Sequence, residues 1–131
     1  MKILRIGHAT WVITSSTGKK YMIDPFLQEN PGCPAEYLQP DFLKSIEAVC
    51  LTHGHFDHTE GLEELIQHNP DVQIIAQYDF GLLLLQNGYK NVQLINVGGK
   101  IRLEDVDITM VKANHTSSYQ ETIGTPIYAG T

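Results

Sequence analysis

The segment from Thr52 to His58 contains residues that could bind a metal ion. It reads Thr-His-Gly-His-Phe-Asp-His, and imidazole and carboxylate groups together are ligands of zinc, iron and manganese. In an extended chain alternate residues project to the same side, so His53, His55 and Asp57 can converge on one point. Asp57 and His58 are neighbours and tend to point apart, which suits a segment that serves two metal positions. The alternative interpretation is a polar surface loop that happens to contain histidines.

The segments around this motif predict a strand before it and a helix after it. Residues 48–51 form a short apolar run, and the segment 47–51 is typical of a buried strand. Residues 59–68 predict a helix in which Leu62, Leu65 and Ile66 share one face and Thr59 caps the start. Further along, the pattern predicts these elements: a strand at 72–76, an apolar helix at 79–86 and a strand at 92–97.

Two more polar residues lie where predicted strands end near the amino terminus. Residues 2–8, 10–15 and 21–23 predict three antiparallel strands, with His8 ending the first and Asp24 following the third. A lone histidine or aspartate at such a place is commonly only a turn former. Strand ends are also where the sites of α/β folds assemble, so both interpretations stand.

The later part of the chain predicts a hairpin that ends in another histidine. Residues 100–103 and 106–113 form its two strands, and His115 comes directly after the second. Residues 117–125 are polar and loop-like, and 126–129 could open one more strand. The irregular, proline-rich segment 26–39 is the kind of long loop that borders a pocket.

Composition limits the class of protein. The chain has 131 residues, enough for one domain at 1–131, with nine basic and fifteen acidic side chains and a formal charge of −6. This balance argues against a nucleic-acid-binding surface. A membrane helix needs a run of about 18 apolar residues, and no apolar run in the sequence approaches that length. We expect both cysteines, Cys33 and Cys50, to be reduced and the compartment to be cytoplasmic.

The pattern His-x-His-x-Asp-His after a buried strand resembles the metallo-β-lactamase superfamily. Gly7-His8, Ile23-Asp24-Pro25 and Thr52-His53 are most similar to the small metal-dependent hydrolases related to the L-ascorbate 6-phosphate lactonases. The resemblance covers essentially the whole chain and corresponds to the amino-terminal half of the family's αββα sandwich. It therefore implies an α+β fold with a mixed, mainly antiparallel sheet that carries helices on one face.

The resemblance also implies a role for each candidate residue. The first metal position would take His53, His55 and His115, and the second would take Asp57 and His58. Asp57 would in addition orient or deprotonate the attacking water. The remaining candidates would support the loop or lie near the pocket: Asp24, His8 and Thr52. Zinc is the expected ion, in one or two copies, with manganese or iron as alternatives.

The function implied is metal-assisted hydrolysis of a small-molecule ester, lactone or phosphorylated substrate. A phosphodiesterase or nuclease relative is a second enzyme hypothesis, which the acidic balance and the lack of basic clusters disfavour. A catalytically silent metal-binding or assembly module is the alternative of another class, because the family takes two further ligands from a second half. We expect residues 1–131 to expose the inner face of their sheet and to form homo-oligomers or pair with a carboxy-terminal half.

Overall fold

A six-stranded sheet forms the centre of the fold, in the computed structural model that describes residues 1–119 and the strand at 127–128. Its strands lie in sequence order, with the first two pairings antiparallel and the next three parallel. They are β1 (Lys2–Gly7), β2 (Thr10–Thr14), β3 (Lys20–Ile23), β4 (Ile46–Cys50), β5 (Gln73–Gln77) and β6 (Val92–Ile95). The carboxyl ends of parallel β3, β4 and β5 consequently meet at one edge, where the motif begins.

Helices cover one face of this sheet. They are α1 (Pro40–Lys44), α2 (Phe56–Thr59), α3 (Leu62–His68) and α4 (Tyr78–Gln86), and a 3-10 turn at Ala35–Leu38 precedes α1. Leu43, Leu65 and Phe80 from α1, α3 and α4 are fully buried and share one apolar core with Met22 and Val49 of the sheet. Among the described residues, no helix is long and apolar enough to cross a membrane.

A hairpin lies against the other face of the sheet. Strands β7 (Lys100–Arg102) and β8 (Asp107–Thr109) pair in antiparallel fashion, and Ile101 and Ile108 pack on a second apolar cluster that includes Tyr21 and Ile75. Two short strands follow, β9 (Ser118–Tyr119) and β10 (Ile127–Tyr128), which also pair antiparallel. Four of the seven described pairings are antiparallel and three are parallel. The predicted fold class, a mixed sheet with helices on one face, is confirmed.

The expectation of an uncovered inner face is wrong for the centre of the sheet. The hairpin leaves Tyr21, Ala48 and Ile75 with 4%, 0% and 2% exposure, so the chain itself buries this region. The β1–β2 edge of the same face is different, since Ile3 is 61% exposed and Trp11 37% exposed. The β1–β2 edge therefore keeps apolar side chains open to solvent.

The predicted helix 59–68 is divided in the structure. Its first turn is α2, which starts at Phe56, and α3 begins only at Leu62. The break lies at Gly61, whose N–H donates to the Pro25 carbonyl oxygen at 2.7 Å. A Cβ there would lie 2.6 Å from Leu27 Cγ, so only glycine lets the helix approach this loop so closely. Thr59 is accordingly the last residue of α2 and not the cap of a long helix.

The strand predicted at 106–113 is shorter than expected. β8 ends at Thr109, and the described chain has no regular structure from Met110 to Ser117. His115 thus lies in an irregular segment and not at the end of a strand. The loop predicted at 117–125 contains β9 at its start, and residues 120–125 lie outside the described part of the chain. The expected strand at 126–129 is present at 127–128.

A polar cluster at the hairpin turn attaches the hairpin to the sheet. The Asp105 carboxylate accepts hydrogen bonds from the hydroxyls of Ser15, Thr17 and Tyr21. Beside it, Lys19 Nζ lies 2.6 Å from the Glu104 carboxylate. The three hydroxyls, Ser15 first, lower the pKa of Asp105 to about 2.

We predict that Asp105→Asn lowers the unfolding midpoint, with a pH dependence set by this carboxyl. Because its pKa is lower in the folded protein, its contribution is present above the ordinary value of 3.8 and is lost as the pH falls toward about 2. Thermal unfolding at several pH values would show a difference between wild type and variant that shrinks in acid. Asp71→Asn, in an exposed turn, is the control. A difference independent of pH would contradict the assignment.

We also predict that the purified chain self-associates through the β1–β2 edge. Exposed apolar side chains on an open strand edge favour pairing with another surface. Sedimentation velocity should show mass above 14.7 kDa that rises with concentration. The double variant Ile3→Thr, Trp11→Thr should reduce this association, whereas Leu85→Thr on helix α4 should not. A wild-type chain that stays monomeric at all concentrations would refute the prediction.

Candidate metal site

The loop after β4 presents its side chains in two directions because a helix starts in its middle. Leu51 still donates its N–H to the Ile75 carbonyl oxygen at 2.9 Å, and residues 52–55 belong to no helix or strand. His55 is the N-cap of α2, with φ −65° and ψ 150°, and its carbonyl oxygen accepts the His58 N–H at 3.0 Å. His53 and His55 therefore precede the turn, whereas Asp57 and His58 lie on the first turn of the helix.

Three imidazoles converge to form the first cluster. One nitrogen from each of His53, His55 and His115 lies within 4.8 Å of the other two, and His53 Nε2 is 3.0 Å from His55 Nδ1. His53 is buried, His55 is half-buried and His115 is exposed. The structure thus brings together two residues of the motif and a third that follows His55 by 60 positions in the sequence.

A second cluster lies beside the first and contains His8, Asp57 and His58. Their ligand-type atoms also lie within 4.8 Å of one another. Asp57 Oδ2 is 3.2 Å from His8 Nε2 and 3.9 Å from His58 Nε2. The rings of His53 and His58 are 4.0 Å apart between centroids, so the two clusters are adjacent.

The buried carboxylate of Asp24 connects the two ends of the loop. It accepts the Thr52 N–H at 2.8 Å, the Thr52 hydroxyl at 2.6 Å and the His58 Nδ1–H at 2.7 Å. Thr52 Oγ1 also lies 3.0 Å from His53 Nδ1. The contacts of Asp24 with His58 and of Thr52 with His53 each occupy the Nδ1 of an imidazole, which leaves the Nε2 of both rings for the clusters.

Asp24 and His8 share an unusual backbone conformation, with φ of 49° at both residues. Such values are uncommon outside glycine and need support from the surroundings. The buried Thr10 hydroxyl donates to the Asp24 carbonyl oxygen at 2.6 Å, and Arg5 Nη2 donates to the His8 carbonyl oxygen at 2.9 Å. Both strand-end residues are thus held in conformations that turn the chain at the edge of the site.

The surroundings shift the pKa values of two imidazoles in opposite directions. Burial, and then the neighbouring rings of His58 and His55, lower the pKa of His53 to about 4. Burial opposes ionisation of His58 as well, but the hydrogen bond to Asp24 and the charges of Asp24 and Asp57 outweigh it and raise the pKa of His58. His53 is consequently neutral at neutral pH, the form in which imidazole binds metals.

Sequence reasoning missed three residues that support the site. Thr10 and Arg5 hold the two strained turns, and Ser117 accepts the Gly54 N–H at 3.1 Å in a buried hydrogen bond. The signals were weak, since all three residues are of common types and their partners lie elsewhere in the chain. By contrast, His68 pairs with Glu64 at the end of α3 and takes no part in either cluster.

The donor atoms suit a divalent cation. Ligand atoms around a tetrahedral zinc ion, with bonds of about 2.0–2.1 Å, lie about 3.3 Å apart. The 3.0 Å between His53 Nε2 and His55 Nδ1 is close to that spacing. The 3.2 Å between Asp57 Oδ2 and His8 Nε2 in the second cluster is close to it too. The residues present therefore fit the metal chemistry that the motif indicates.

Comparison with known sequences shows the family to which the chain belongs. A sequence model described as a beta-lactamase superfamily domain matches residues 19–130, which include the whole motif and His115. The chain belongs to the metallo-β-lactamase superfamily. Its relatives include a UPF0173 metal-dependent hydrolase of Koribacter versatilis, 37% identical over 117 residues that cover 88% of this chain and 48% of the relative. Another, from Rubrobacter xylanophilus, is 33% identical over 98% of this chain and 52% of the relative.

Solved structures show the same fold. Igni18, a metallo hydrolase from the archaeon Ignicoccus hospitalis, matches with a TM-score of 0.72 at 24% identity, over 95% of this chain and 52% of that one. The metallo-β-lactamase GOB-18 of Elizabethkingia meningoseptica matches with a TM-score of 0.54 at 17% identity, over 85% of this chain and 50% of that one. The chain spans about half the length of the relatives that it matches. Its relatives are named metal-dependent hydrolases, and its fold is that of a metallo-β-lactamase.

Proposed function

We propose that residues 1–131 are the amino-terminal, metal-binding half of a hydrolase that acts on small molecules. The observation that supports this most directly is the position of His115. It lies 4.6 Å from His53 and 5.1 Å from His55 between ring centroids, although it is far from the motif in sequence. A polar surface loop that merely contains histidines does not explain why a third imidazole lies beside the other two. Three imidazoles that leave one coordination position open are typical of a catalytic metal site.

Zinc is the ion we propose for this first position, with manganese or iron as alternatives. His53, His55 and His115 would hold it through their unprotonated nitrogens. Asp57 and His58 would hold a second ion, with His8 beside them. This second position has a carboxylate oxygen among its donors, a ligand type that suits manganese, and imidazole nitrogens, which suit zinc and iron.

Asp57 is the residue we propose for the proton transfer. A divalent ion held by these side chains supplies Lewis acidity and makes water nucleophilic near neutral pH. The half-exposed Asp57 carboxylate lies beside His8 and His58 in the second cluster, where it would accept the proton that this water loses. His8, 3.2 Å from Asp57 Oδ2, fixes the orientation of that carboxylate.

The substrates we propose are small esters, lactones or phosphorylated molecules. Phe56, between His55 and Asp57, is 62% exposed, and its ring contacts Phe26 edge to face at 6.1 Å. Phe26 in turn contacts the His8 ring at 5.5 Å. These rings border the site on one side, and a substrate with an apolar part beside its reactive carbonyl or phosphoryl group would suit this border.

A second candidate is a metal-binding or assembly module without catalysis. It is favoured by one observation, namely that the chain covers only about half of the relatives that it matches. We also propose a cytoplasmic location, which is supported by Cys33 and Cys50. Both are free thiols, and burial is the main cause that raises the pKa of Cys50 to about 12, so this thiol is unreactive.

Metal binding and turnover together test the proposed function. We expect the chelator-treated protein to bind zinc again and to hydrolyse members of a panel of lactones, phosphate monoesters and phosphate diesters. His115→Ala should weaken binding at the first position and abolish turnover, since it removes a ligand. His68→Ala, at the end of α3, should change neither. Tight binding without turnover would favour the module, and unchanged binding in His115→Ala would refute the site.

Asp24→Ala should weaken binding without removing a ligand. The substitution leaves Thr52 and the Nδ1–H of His58 without their acceptor. His58 then loses its fixed orientation directly, and His53 loses it through Thr52. Losses of such supporting contacts typically cost about 10–100-fold in metal affinity. Competition with a chelator would measure the change, and Asp71→Ala is the matched control. An affinity equal to that of the wild-type protein would show that Asp24 does not orient the ligands.

A further inference from the structure

The segment that carries His115 has little regular structure to hold it in place. Residues 111–116 are exposed and belong to neither β8 nor β9. His53 and His55, by contrast, follow directly on a central strand of the sheet. The position of His115 must therefore depend on what attaches this segment to the rest of the molecule. The first buried residues after it are Ser117, with 2% exposure, and Tyr119, with 6%.

Ser117 is attached directly to the metal-binding loop. Its hydroxyl oxygen accepts the N–H of Gly54 at 3.1 Å, and this hydrogen bond is buried. Gly54 lies between His53 and His55, so the bond joins the His115 segment to the backbone between the other two imidazoles. Two residues of chain span at most about 7 Å, and the bond therefore limits how far His115 can move from its partners.

Tyr119 attaches the same segment to the core on the helical side. Its ring packs against Phe80 of α4 with 5.1 Å between centroids, and its hydroxyl lies 3.3 Å from that of Tyr89. The Phe80 side chain is fully buried between α4 and the sheet. The segment is consequently fixed at two points within five residues of sequence, and both follow His115.

We propose that Ser117 is a positioning residue that holds His115 against His53 and His55 by accepting the Gly54 N–H. Its role in ion binding rests on the proposed function, but the hydrogen bond and its effect on the segment do not. A glycine N–H buried without an acceptor costs free energy, so the loop and the segment stay together. Ser117 thus keeps His115 close to His53 and His55 before any ion is bound.

The ion-free protein gives the first test. In Ser117→Ala the Gly54 amide should exchange with solvent at least tenfold faster, and the backbone of residues 113–116 should show lower heteronuclear NOE values. Thr116→Ala, which changes the exposed neighbour, should leave both unchanged. Equal Gly54 exchange in wild type and Ser117→Ala would overturn the proposal, whatever the protein binds.

A double-mutant cycle with Co²⁺ gives the second test, because cobalt reports its coordination through visible absorption. We expect Ser117→Ala to weaken Co²⁺ binding about 10–100-fold and to change the absorption spectrum, with Ser117→Thr restoring both. In a His115→Ala background the same substitution should have almost no further effect, since Ser117 acts through His115. An equal loss in both backgrounds would overturn the proposal.

If Ser117→Ala does not fold, Ser117→Cys takes its place in both tests, because it keeps the side-chain volume and replaces the hydroxyl by a weak acceptor.

The two tests separate this inference from the proposed function. A wild-type protein that binds no ion but shows the expected Gly54 exchange and NOE changes would refute the metal site and support the positioning role. A protein that binds and hydrolyses normally, with no difference between Ser117→Ala and Thr116→Ala, would support the hydrolase and overturn the role of Ser117.

Discussion

The buried carboxylate of Asp24 is the constraint on which the rest of the site depends. With 2% exposure it needs hydrogen-bond donors, since an unpaired charge in the interior is very unfavourable. All three donors come from the motif, two from Thr52 and one from His58. The parallel pairing of β3 with β4 places Asp24 and Thr52 side by side, and the Asp24 N–H donates to the Cys50 carbonyl oxygen at 3.0 Å. Sheet topology and loop conformation are therefore linked through one side chain.

The division of the loop follows from the start of α2. An extended chain would direct His53, His55 and Asp57 to one side, but the turn at His55 places Asp57 on the helix instead. The result is two adjacent clusters, one of three imidazoles and one of two imidazoles and a carboxylate. His8 enters the second cluster from β1, held by Arg5 in its strained conformation. A helix that starts within the motif thus separates two groups of side chains of metal-ligand type that an extended strand would have directed to one side.

The hairpin has a comparable role on the other side of the sheet. It buries Tyr21, Ala48 and Ile75, and it also leads the chain back toward the motif, so that His115 reaches His53. The contacts of Asp105 with the β2–β3 turn attach one end of the hairpin, and Ser117 and Tyr119 attach the chain that leaves it. The same contacts that complete the core therefore complete the three-imidazole cluster.

The amino-acid sequence by itself determined the class of fold and the residues of the motif. Local patterns were sufficient here, because strands 2–8 and 10–15 are rich in Ile, Val and Trp and residues 48–51 form an apolar run. In addition, three histidines and an aspartate within six positions form a dense set of metal-ligand types. Only the tertiary structure decided the break at Gly61, the irregular path of residues 110–117, the entry of His8 into the second cluster and the contact between Ser117 and Gly54. The physical reason is the same in each case. These features depend on the close approach of segments far apart in the chain, and a pattern within one segment contains no information about the partner that packs against it.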